Sequence, residues 1–495
     1  MRSVSTLTSH LSPPAPVTAA RSPRAIAVAL SETVGGDVKR WCVLAVGSLV
    51  IAGLLSLAVV VGRLPVLSRL IDDPLFFKRC LVVHVDLALV VWFYAFLAAL
   101  LAFGARSRAG RMHIAFYALA VGGVLAMLGG ALMRGAQPVL ANYVPVIDHP
   151  LFGAGLAAFF ASTLLHLVSS LGAPVRRGVS ALPEDTFIGL QAAAIAVAIA
   201  AATWVSARAG LPAGVDPFTR AEFLAWGPGH VLQAANACAM LAVWLWLLER
   251  ATGTRVLSPR AARLVFGALV LPQAVMPLLT FRGTLDALYH TGATQLMRWA
   301  IFPAILAVLL VGLIHLRVHR GAAARSTLSG RVALTGFAAS VLLALLGMVL
   351  GACIRGSTTL VPAHYHASLG AVTVAFMSAA YFLCAAARRD SVSLSGSERV
   401  WRAARRQLAL FGVGQAIFAL GFAIGGAYGL GRKAYAAEQH VRSAGEVCGL
   451  IVMGLGGLVA VAGGLWFLFL VLREMRGWWT APSKRAAEYS GSILP

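Results

Sequence analysis

Apolar residues run along this chain in stretches of about 20, the length a helix needs to cross a hydrocarbon layer. Twelve such stretches lie near 41–62, 80–104, 113–133, 150–172, 186–207, 225–248, 264–281, 296–316, 332–354, 363–387, 408–431 and 444–472. Strands crossing a membrane need only about 9–11 residues and alternate in polarity, and neither feature is present. The pattern predicts an all-α integral membrane protein, a bundle of twelve transmembrane helices spanning 41–472. The flanks read differently. Residues 1–40 are aperiodic and rich in Ser, Pro, Ala and Arg, as expected of a disordered cytoplasmic tail, with no apolar core and cleavage site of a signal peptide. Residues 473–495 form the expected cytoplasmic C-terminal tail.

Composition agrees with the periodicity: of 495 residues, 59% are hydrophobic and only 12% charged. A net charge of +23 would suggest nucleic acid in a soluble protein, but its distribution excludes that partner. With the amino terminus in the cytoplasm, 28 of the 41 Lys and Arg residues fall on the cytoplasmic side, six of them between the tenth and eleventh stretches. This positive-inside bias reports topology and attraction to anionic lipid, and it predicts a bacterial inner membrane protein with both termini cytoplasmic. The six cysteines make no C-x-x-C or C-x-x-C-H pattern, which excludes a covalently attached c-type haem and a thiolate metal site of recognisable spacing. They read as small buried hydrophobes.

Four histidines interrupt apolar stretches at one level. His84 lies in "CLVVHVDLALVVWFYAF", about four residues past the outer start of the second stretch. His230 lies in "LAWGPGHVLQAANA", about five past that of the sixth, and His364 and His366 open the tenth. At about 1.5 Å per residue all four fall within roughly 10 Å of the same boundary. Ionisable side chains in spans are costly and face the bundle interior or a functional group, so four in one layer point to ligation. Residues i and i+2 of a helix leave opposite faces, so His364 and His366 address two separate irons. Imidazole is the usual axial haem ligand. A low-spin, bis-histidine haem needs a partner from another helix, and His84 is the available one. A second, high-spin haem keeps an open position facing whatever His230 binds.

These residues resemble catalytic subunit I of the haem–copper oxidase superfamily, which includes cytochrome c oxidases and nitric oxide reductases. The resemblance spans helices two to twelve, and "TTLVPAHYHASLGAVTVAFM" is its most specific stretch. It implies that His84 and His366 ligate the low-spin haem and that His364 is the proximal ligand of the high-spin haem. It further implies that His230, after Gly229, binds a non-haem metal, copper or iron. The "GLGRKAY" segment matches a basic pair that contacts haem propionates, Arg432 and Lys433, with Arg355 a second propionate partner. The resemblance implies electron transfer from the low-spin to the high-spin haem, reduction of O2 there, and NO reduction as the alternative. Electrons would come from a cytochrome c or a cytochrome c- or cupredoxin-type subunit on the outer face, because the chain has no dicopper motif of its own.

The sequence departs from that family at the non-haem metal. The adjacent histidine pair expected on helix seven is replaced near Thr280-Phe281 in "VMPLLTFRGTLDALYH", and no His-His occurs in the chain. His290 is the nearby imidazole, expected in the loop before helix eight. Ala234 stands where many oxidases carry a tyrosine, with Gln233 and Asn236 the polar residues beside it. Cu or Fe prefers several imidazoles or carboxylates, which leaves three readings open: a binuclear centre with an unusual ligand set, a divergent site for NO or another small ligand, or a dihaem protein without the second metal. A twelve-helix secondary transporter would need internal repeats and a polar layer at the bilayer midplane, and neither is seen. Acidic residues in the inner half are nearly absent, so a proton pathway of carboxylates is not written in the sequence.

Overall fold

The computed structural model describes residues 35–61, 73, 75–105, 110–172, 181–324, 327–387, 394–432 and 441–478. Among them are twelve helices long and apolar enough to cross a membrane, and the chain is a multi-pass membrane protein. They are α1 (Gly36–Val61), α2 (Phe76–Gly104), α3 (Arg111–Leu132), α4 (Pro150–Leu171), α5 (Glu184–Ala209) and α6 (Pro217–Thr252). There follow α7 (Pro259–Thr280), α8 (Ala287–Val318), α9 (Leu328–Ala352), α10 (Leu360–Ala387), α11 (Leu394–Ala427) and α12 (Ala444–Arg476). A two-stranded antiparallel ribbon, β1 (Gln137–Val139) with β2 (Val146–Asp148), fills the connection between α3 and α4.

Local chemistry sets several helix starts. Ser258 caps α7 with Pro259 at its first position, Thr327 caps α9, and Ser443 with Glu446 forms a capping box on α12. At α6 the Asp216 carboxylate accepts hydrogen bonds from the Phe218 and Thr219 backbone N–H groups, at 2.9 and 3.1 Å, ahead of Pro217. This cap starts the helix eight residues before the apolar run expected at 225. His230 therefore lies thirteen residues into α6 rather than five (217 to 230), and distance from the start of the apolar run does not measure its depth. Asp286 likewise caps α8 at Ala287, which places His290 inside a helix and not in the loop where the sequence put it. α1 begins at Gly36, ahead of the expected 41, and α12 runs on to Arg476.

Burial separates three helices from the other nine. The most apolar windows of α2, α6 and α10 are 89, 83 and 78% buried, against 28–50% elsewhere. These central helices are the ones that carry His84, His230, His364 and His366. Trp244 links α6 to α10 through α9: its indole N–H donates to Ser340 Oγ of α9, whose hydroxyl donates to the Ala371 carbonyl of α10, both at 2.7 Å. At the periphery α11 and α12 pack backbone to backbone through Gly414, Gly421, Gly449 and Gly456, the small-residue contact that replaces hydrophobic drive in lipid. Of the cysteines, Cys42, Cys80, Cys238 and Cys384 are buried as expected. Cys353 and Cys448 are exposed, because each sits at a helix end.

Candidate functional site

The ring of His84 is fixed from α1. Its Nδ1 lies 2.8 Å from the Ala52 carbonyl oxygen. A carbonyl can only accept, so Nδ1 carries the proton and Nε2 keeps its lone pair. His364 is held in the same way by the Gly347 carbonyl of α9, at 2.7 Å. Imidazoles that bind metal are oriented by just such a partner on the other nitrogen. Gly351 makes the room for His364, since a Cβ there would lie 2.7 Å from its Nδ1. His366 leaves α10 on a different face. It stacks on Phe422 of α11, with ring centroids 5.3 Å apart and planes 6° from parallel, and meets Phe418 edge-on at 4.8 Å. His366 is also within electrostatic reach of His84. The structure thus brings His84 and His366 together and gives His364 separate surroundings. A π-helical turn, Asp86–Val91, follows His84 directly and shifts the register of α2 by one residue at this point.

His230 is different. Its Nδ1 donates to the Trp226 carbonyl at 2.8 Å, and its Nε2, 2.9 Å from the Tyr143 hydroxyl, accepts the phenol proton. Both ring nitrogens are engaged. Tyr143 comes from the turn of the β1–β2 ribbon, and among the described residues it is the one non-glycine with positive φ, at 67°. Its neighbour Asn142 is anchored on Glu222 of α6 through the backbone N–H and the side-chain amide, at 2.7 and 2.9 Å. Gly229 leaves space for the ring, which packs 4.7 Å from that of His230. Burial, reinforced by the Glu222 carboxylate and opposed by Arg432, pushes the Tyr143 phenol up, so it keeps its proton.

Of the other expected residues, His290 lies near His230 across Trp226, and Arg355 and Arg432 lie beside the turn that leads into α10. His290 Nε2 donates to the Thr284 carbonyl at 3.0 Å, and its ring packs on Trp226, as does that of His230. Arg355 is exposed, with its guanidinium on the Ala352 and Ile354 carbonyls. Arg432 donates from Nε to Ser357 Oγ at 2.9 Å, in the turn that leads into α10. Lys433 lies outside the described residues.

The donor chemistry fits haem iron. His84 and His364 each have Nδ1 bonded to a backbone carbonyl, which leaves Nε2 as the lone-pair nitrogen, and His366 lies between the rings of Phe418 and Phe422. It does not fit a second metal. Among the described residues no three His, Cys, Asp or Glu side chains form a group able to hold an ion, and the lone pair of His230 already holds the Tyr143 proton.

Sequence reasoning missed Tyr143, since "NYVPV" carries no motif and its role depends on a loop reaching α6 across 87 residues of sequence. It also missed a cluster at the opposite end of the bundle. There His113 Nδ1 meets Asp37 at 2.9 Å and lies edge-on to His166, which is fully buried with no well-formed hydrogen bond on either nitrogen.

No protein-family model matches the chain. It is 30% identical over 344 residues to an uncharacterized protein of Aquifex aeolicus, covering 68% of this chain and 81% of that one. It is 22% identical over 494 residues to an uncharacterized protein of Rickettsia prowazekii, covering 88% and 95%. Among solved structures it is similar to the cryo-EM structure of a heme–copper terminal oxidase dimer. The TM-score is 0.62 at 15% identity, over 94% of this chain and 84% of that one.

Proposed function

Since the chain belongs to one family with the Aquifex aeolicus protein and has the haem–copper oxidase fold, we propose that it is the haem-binding subunit of a respiratory oxidoreductase that reduces a small ligand. His84 and His366 would hold a low-spin haem, and His364 a high-spin haem with one open position. When bound, the two haems supply electron transfer and reduction of the ligand, with O2 the first-choice substrate. The protein's part is orientation. The Ala52 and Gly347 carbonyls keep His84 and His364 in the tautomer that exposes Nε2, and the apolar walls of α2, α6 and α10 keep bulk water from the site. Arg355 and Arg432, with Lys433, are candidate partners for haem propionates at this end of the bundle.

The observation that carries the reading is the sorting of the α10 pair: His366 lies against Phe418 and Phe422 of α11, within electrostatic reach of His84, while His364 is locked separately by α9. A bacterial inner membrane with both termini cytoplasmic follows from the charge bias, and it puts the histidine end outward. A cytochrome c or a cupredoxin-type subunit docking there is the electron donor. The engaged nitrogens of His230 favour a second reading, a nitric oxide reductase-like or other small-ligand dihaem protein with a degenerate non-haem metal site.

Mutation separates the two haems. His364→Ala should abolish CO binding by the reduced protein and leave a low-spin spectrum. His84→Ala should remove the low-spin bands and leave CO binding. Unchanged spectra in both variants would refute the ligand assignment.

A further inference from the structure

We propose that His230 is the acceptor of a fixed hydrogen bond from Tyr143 and not a metal ligand, so that the haem site of this chain works without a second metal. The inference rests on the reading above, in which His364 carries the haem that binds a small ligand.

Three independent features converge on it. The first is tautomer. The Trp226 carbonyl can only accept, so Nδ1 of His230 is the protonated nitrogen and Nε2 is the sole atom through which the ring could bind a metal. That atom receives the Tyr143 hydroxyl proton at 2.9 Å. A metal there would have to displace the phenol and take its place.

The second feature is the cost of placing the phenol. A non-glycine residue with φ of 67° is disfavoured by contact of its Cβ with the backbone. Such a conformation persists only where the surroundings over-determine it. Here the ribbon pairing of Val139 with Val146, the double anchor of Asn142 on Glu222, and the space beside Gly229 do so together. A Cβ at Gly229 would lie 2.8 Å from Tyr143 Cδ1. The local sequence is built to bring this ring onto this histidine.

The third feature is the missing companions. One imidazole binds Cu or Fe weakly, and adding His290, whose Nε2 donates to the Thr284 carbonyl, gives only two; among the described residues no group of three His, Cys, Asp or Glu side chains is placed to hold an ion. Tyr143 lies within electrostatic reach of Arg432, whose side chain is bonded to Ser357 at the entrance of α10. The phenol therefore lies at the end of the bundle where α10 begins, with its proton committed to His230. Its chemistry suits a small neutral haem ligand such as a diatomic gas.

The test is a metal count on the whole protein, purified from copper-supplemented cells, with haem measured on the same sample. The inference predicts that haem accounts for all the iron and that copper, zinc and manganese are below a tenth of an atom per chain. One copper, or one iron beyond haem, per chain overturns it while leaving the haem reading intact. A preparation without haem overturns both. A second readout uses Tyr143→Phe, which keeps the ring and removes the hydroxyl. The C–O stretch of the reduced CO adduct should shift from its wild-type frequency, with the low-spin bands as internal control. An unshifted frequency removes Tyr143 from the site.

Discussion

At the scale of single residues, the site depends on backbone carbonyls as much as on histidines. Ala52 and Gly347 lend oxygens that also belong to their own helices, and each fixes the proton of one imidazole on Nδ1, leaving Nε2 as the lone-pair nitrogen. Arg79 does comparable work for Tyr143. It is buried at the start of α2, donates to the Ala131 carbonyl at 2.7 Å and the Ala136 carbonyl at 3.3 Å, and pairs with Asp73. Those carbonyls lie in the chain that leads from α3 into β1. Arg79→Leu leaves these carbonyls without their donor, and a buried acceptor left unsatisfied, such as that of Ala136, costs about 1–3 kcal/mol. The expected outcome is a fall in thermal midpoint in detergent together with a shift of the CO stretch, because the ribbon that positions Tyr143 is released. A fall in midpoint with an unmoved CO stretch would separate Arg79 from the site.

At the scale of elements, the twelve helices were legible because each repeats an apolar run of the right length. The candidate ligands stood out in the sequence because α10 carries His-x-His behind a proline. Three features lay beyond that signal. Helix starts moved outward at α6 and α8, where Asp216 and Asp286 cap segments too polar to count as apolar runs. The π-helical turn after His84 leaves no trace in periodicity. Tyr143 meets His230 only through tertiary contact. Gly351 shows how closely the elements are fitted: α9 passes His364 with no room for a side chain. Gly351→Val forces a branched side chain onto the imidazole, and overpacking of this kind costs about 1–3 kcal/mol. The variant should lose most of its CO-reactive haem while keeping the low-spin haem of His84 and His366. Parallel loss of both haems would mean that α9 supports the bundle as a whole and not His364 in particular.

At the scale of the molecule, the burial of α2, α6 and α10 makes a central trio that the other nine helices surround. The four candidate histidines sit on that trio, so the proposed haem layer would coincide with the structural core. The similarity in fold to a heme–copper terminal oxidase covers 94% of the chain at 15% identity. The opposite end of the bundle, with Asp37, His113 and His166, has its own buried polar cluster. The central claim is that two haems lie in one chain, with different ligands and different reactivity. It is tested most directly by the reduced-minus-oxidised spectrum of the purified protein, recorded with and without CO and scaled to total haem. The account predicts two haems per chain, half of the absorbance in a low-spin form that ignores CO and half in a form that binds it. A protein with no haem, or with haem that is uniformly indifferent to CO, would contradict it.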